Sequence, residues 1–223
     1  MKHSFFDLPH SRQWAYSIVI TVVGLVLILS SVFICMYYQQ VWLLLFLIPL
    51  YFVFAQLLDI PFGHLRGTLI HYSPMLVVQP LGQTLHLHTT TLFDQIFTLP
   101  HKKPSLTNQQ QTLLWILDGF LALIDKLEKD QVSTTLVGTT YFLSPRRAKL
   151  LGFSVQKADP FSKLILILNY LNLLFSMSIT KGRLSFPKIN NVQRFEISSQ
   201  ELINNRHLFS DWQEKLLARH QQV

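Results

Sequence analysis

Charge and cysteine are scarce in this chain. Asp, Glu, Lys and Arg make up 14% of its 223 residues, where soluble domains carry about a quarter. With so little charge, the apolar 49% is expected to be concentrated in membrane spans instead of spread through a soluble core. A single cysteine, Cys35, rules out an intramolecular disulfide and any CxxC zinc site. The HExxH helix of zinc proteases, the phosphate-cradling glycine loops and the GxSxG nucleophile elbow are also missing. Those absences remove the readily legible enzyme classes.

What is present begins with two apolar runs. Ala15 to Tyr38 reads AYSIVITVVGLVLILSSVFICMYY without a charge, and Val41 to Leu58 reads VWLLLFLIPLYFVFAQLL, with Asp59 the first charge after it. About 20 such residues cross the hydrocarbon layer as a helix. Trp14 and Tyr16 stand at one end of the first run, and Tyr37, Tyr38 and Trp42 at the turn, as interfacial aromatics do. Pro49 is tolerable in a membrane helix. The first run is too long for a signal-peptide core and a second follows directly. The prediction is a tail over 1–14, then a two-helix transmembrane hairpin over 15–58.

Lys2 and Arg12 flank the hairpin on one side and Arg66 on the other, while the turn YYQQ carries no positive charge. By the positive-inside rule both termini are expected in the cytoplasm of a cell with the hairpin in its inner membrane. DIPFGHLRG, residues 59–67, reads as a linker. Residues 68–223 then form one cytoplasmic α+β domain. Its expected elements are a meander over Thr68–Tyr72, Met75–Gln79 and Gln83–His88, and a helix over Asn108–Lys129 opened by the Thr107/Gln110 capping box. A strand over Val132–Ser144, a short helix over Pro145–Leu151, a strand over Phe153–Gln156 and a capped helix after Ser198 complete it. The uncharged run Leu164–Ile179 fits a core helix, an interfacial helix or a third span, with Ser162, Asn169, Asn172 and Ser176 forming a polar stripe.

The formal net charge is +7. Its densest clusters, Lys102 and Lys103 and then Arg146, Arg147 and Lys149, are expected to meet anionic lipid headgroups, about 1 kcal/mol for each residue near the surface. No nucleic-acid-binding module is recognisable.

The stretch LHLHTTTLFD, Leu85–Asp94, is the place to look for chemistry. On a strand, His86 and His88 share a face, and Asp94 could orient one imidazole. The spacing from His88 to Asp94 is His-x5-Asp, one residue longer than the His-x4-Asp of glycerol-phosphate-type acyltransferases, so that activity is not implied. His86, His88 and Asp94 are the candidate catalytic residues; no cofactor and no metal are expected. Asp118 and Asp125, one face of the long helix, are the next carboxylates. The leading function is a membrane-anchored binding or regulatory protein in an envelope-associated process. The alternative is a membrane-bound transferase or hydrolase acting on a lipid or lipid-linked substrate.

Overall fold

The computed structural model describes residues 3–40, 42, 45, 47–89, 91–101, 106–140, 143–189 and 192–221. Helix α1 (His10–Tyr37) holds the first apolar run. At 1.5 Å per residue its 28 residues reach about 42 Å, more than a hydrocarbon core requires. Valines and leucines such as Val22, Val26 and Leu29 point outward from it. Among the described residues it is the one helix long and apolar enough to cross a membrane by itself.

Helix α2 (Leu47–Leu65) lies against α1, with the Phe54 ring facing Gly24. The structure therefore supports one crossing helix where two were expected. Val41, Leu43, Leu44 and Phe46 of the second run lie outside the described residues. The linker reading of 59–67 is corrected: α2 continues through Asp59 and Pro61 to Leu65. Proline costs a helix one backbone hydrogen bond. Here Ile60 is buried against Phe5 and Phe93, and that packing holds the turn in place.

The rest is one six-stranded sheet in the order β1-β2-β3-β4-β6-β5. Strands β1 (Ile70–Ser73), β2 (Leu76–Leu81) and β3 (Thr84–Thr89) form the expected antiparallel meander. Strand β4 (Thr135–Thr140) then runs parallel to β3, after a crossover through α3 (Leu92–Thr98) and α4 (Asn108–Asp130). Strand β6 (Gln193–Ser198) sits between β4 and β5 (Ser154–Lys157), antiparallel to both. Neither α3 nor β6 was expected from sequence. The helices α5 (Pro145–Leu150), α8 (Ser199–Asn204) and α9 (Arg206–Gln221) complete this part of the domain.

Alternation along the strands gives the sheet two unlike faces. Val78, Leu87, Leu136, Phe195 and Ile197 point to one side, where α4, α8 and α9 cover them with Leu117, Ile124, Leu202 and Phe209. The expected caps are all made: Thr107 with Gln110, Ser144 with Arg147 and Ser198 with Glu201. The run Leu164–Ile179 is two helices, α6 (Pro160–Leu168) and α7 (Tyr170–Lys181), bent by 71° at Asn169. Helix α7 packs on α2, α3 and α4, whereas α6 leaves its apolar side chains exposed.

Helix α4 approaches the sheet closely at Gly119. A Cβ built there would lie 2.6 Å from Leu76 Cβ and 2.6 Å from Ser73 Oγ. Alanine raises helix propensity by about 1 kcal/mol over glycine, but Leu76 is fully buried and cannot retreat. Gly119→Ala should therefore destabilise the protein by about 1–3 kcal/mol, read as a lower melting temperature of the full chain in detergent. An unchanged or higher melting temperature would refute this close contact.

Candidate functional site

His86 and His88 occupy alternate positions of β3 and point away from the main core, because Leu85 and Leu87 between them point into it. Register places His88 beside Val77, and His86 between Gln79 and Val137. Arg194 of β6 lies on the same face, next to Thr139. This face and the α6–α7 pair enclose a cavity of about 580 Å³, to which Gln56 of α2 also contributes. His88 keeps an exposed edge, yet the protein around its imidazole displaces enough water to push it below its ordinary pKa. The adjacent His86 adds to that shift, and the Asp94 charge opposes it.

Asp94 does not join the two histidines in the cavity. It sits in the first turn of α3, fully buried, where it closes a capping box with Thr91: Thr91 N–H and its hydroxyl donate to Oδ2 at 3.4 and 2.5 Å, and Asp94 N–H donates to Thr91 Oγ1. Its other oxygen, Oδ1, faces His3 Nε2 at 3.3 Å and His71 Nε2 at 3.5 Å. His64 adjoins this group, its ring stacked on Phe6 and 5.3 Å from that of His71. Burial alone would raise the Asp94 carboxyl. The imidazoles of His3 and His71 overcome that and hold it at about 2.

An aromatic shell shields this cluster from solvent. Phe5 is fully buried, edge-on to Phe93 and Tyr16, and the His3 ring stacks on Phe93. The Ser4 hydroxyl donates to the Phe97 carbonyl, pinning the N-terminal segment to α3. Sequence reasoning missed His3 and His64, and it assigned Asp94 to the wrong partners. Contacts across 91 positions leave no local signal. The Thr91-x-x-Asp94 capping box was readable, and it would have placed Asp94 on a helix.

The other candidates are dispersed. Asp118 accepts from Gln213, and Asp125 pairs with Arg206 at 2.7 Å, so both act as surface ties between α4 and α9. Arg146, Arg147 and Lys149 are exposed on α5; Arg147 also lines a second cavity of about 390 Å³ together with Lys181. Lys102 and Lys103 lie outside the described residues. The polar stripe is used locally and across helices. Asp159 caps α6 through Ser162, Asn169 donates back to Ile165, and Asn172 donates to the Phe52 carbonyl of α2 at 2.9 Å. Among the described residues no group of three His, Cys, Asp or Glu side chains is arranged to hold a metal ion. The chain matches no protein-family model, no curated protein and no solved structure.

A depressed folded-state pKa means that Asp94 contributes stability above its unfolded value of about 3.9, and that this contribution disappears as pH falls through about 2. The contribution at neutral pH is on the order of 2–3 kcal/mol. Asp94→Asn should therefore lower stability at pH 7 and flatten its decline between about pH 4 and pH 2. Denaturant unfolding of the full chain across that range checks both. An Asn variant as stable as the parent at pH 7 would contradict this role for the carboxylate.

Proposed function

We propose that this chain is a membrane-anchored binding protein of the cell inner membrane, held by α1 and α2 as a hairpin, with its α+β domain on the cytoplasmic side. The observation that carries the reading is the placement of α6. Phe161 (70% exposed), Leu164, Ile165 and Ile167 form an uncovered apolar surface on a helix that touches α2, beside the anchor. Contiguous apolar surface of that kind marks a membrane or protein contact, and a helix lying in the interface buries such a face in the headgroup region.

The N-terminal segment supports the hairpin. Phe5 shares one apolar cluster with Ile60, near the end of α2, so the pair α1–α2 leaves and returns on the domain's side. The α5 residues Arg146, Arg147 and Lys149 are then available to anionic headgroups. Binding is preferred over catalysis because Asp94 is committed to His3, His71 and Thr91, which leaves His86 and His88 without the carboxylate of the enzyme reading.

Reporter fusions test the topology: a fusion at Gln40 should report the outer side and one at Val223 the cytoplasm. A fluorophore on Phe161→Cys, in a Cys35→Ala background, should be quenched by brominated lipid in reconstituted bilayers. An external signal at Val223, or an unquenched label, would overturn the reading.

A further inference from the structure

We infer that the cavity between the sheet and α6–α7 binds one anionic phospholipid, its phosphate held on the strand face and its acyl chain along the helices. The inference rests on the membrane apposition of α6 proposed above and names the ligand of that site. Three independent features of the cavity point the same way.

Its volume of about 580 Å³ falls within the range of small-molecule sites, about 300–1,000 Å³, and accommodates part of a lipid. Its two walls differ in chemistry. The strand wall offers the Arg194 guanidinium and the imidazoles of His86 and His88, and among the described residues no Asp or Glu lines the cavity; the helix wall offers Phe161, Ile165 and Leu173. A polar, cation-bearing wall opposite an apolar one suits an amphiphile and is wasteful for a wholly polar metabolite.

The third feature is unfilled hydrogen-bonding capacity. Arg194 Nη2 reaches Glu196 at 3.6 Å, yet its Nε is buried without an acceptor among the described residues. Asn172 is only 2% exposed; its amide nitrogen is fixed by donation to Phe52 and Asn169, while its Oδ1 has no donor among the described residues. Buried groups of this kind ordinarily have partners. A phosphate oxygen would satisfy the guanidinium, and a headgroup hydroxyl would satisfy the amide oxygen. Guanidinium is the side chain best shaped for phosphate.

The test uses the full chain purified in a neutral detergent. Binding of short-chain phosphatidylglycerol, short-chain phosphatidylcholine and inorganic phosphate is measured by calorimetry. Phosphatidylglycerol should bind, phosphatidylcholine should bind at least tenfold more weakly, and millimolar phosphate should not compete. Arg194→Gln should weaken phosphatidylglycerol binding at least tenfold with the melting temperature retained, and Arg194→Lys should recover most of it. Ile165→Glu, on the opposite wall, should weaken it as well. Equal affinity for both lipids, or wild-type binding by Arg194→Gln, overturns the inference. Effective competition by phosphate alone would make this a site for free phosphate and also overturns it. Should Arg194→Gln fail to fold, the preference between lipids and the Ile165→Glu variant decide. Lipid quenching at position 161 without phosphatidylglycerol binding sinks the inference alone; no quenching sinks the membrane reading with it.

Discussion

The buried carboxylate of Asp94 is the constraint on which the arrangement turns. A charge with no exposure survives only where partners face it, and here they arrive from three separate places. His3 comes from the segment before α1, His71 from the edge strand β1, and Thr91 from the start of α3. Each partner alone would be a local detail. Together they tie the segment before α1 to the sheet edge and to the start of α3. The apolar shell of Phe5, Ile60 and Phe93 excludes water from the cluster and strengthens every interaction inside it.

That junction also explains why one sheet serves two purposes. The face under α4 and α9 is closed by large aliphatic and aromatic side chains and gives the domain its stability. The other face carries His86, His88 and Arg194 and borders a cavity whose far wall is α6 and α7, bent by 71° at Asn169. Asn172 of α7, which lines the cavity, donates its amide to the Phe52 carbonyl of α2 and so ties the two helices beside it.

Much of the fold was legible wherever local chemistry decides it. The meander followed from alternation and from the Pro and Gly turns, and α4 and α5 from their capping residues. Strand β6 was not legible: QRFEIS alternates, but it is short and polar on one side, and its place between β4 and β5 is fixed by pairing that no local pattern encodes. Helix α3 was hidden because Thr89 and Thr91 read as a continuing polar strand. The candidate site was half visible. His86 and His88 do share a face and a cavity, as strand geometry required. Asp94 was drawn away by His3 and His71, whose approach depends on the tertiary fold, and Arg194 was concealed with its unrecognised strand.

The docking of residues 3–8 has a consequence for how the protein is assembled. Phe5 and His3 are synthesised before α1 and α2, yet their partners Phe93 and Asp94 emerge only after both. On the proposed topology the segment waits on the side where the domain forms. If α1 crossed a bilayer and α2 failed to return, the early residues and their late partners would be separated by the full membrane thickness. The domain would then be left with an open aromatic pocket and an unpartnered buried carboxylate. Under the proposed hairpin reading, closure of this part of the core therefore depends on α2 bringing α3 back to the segment that precedes α1.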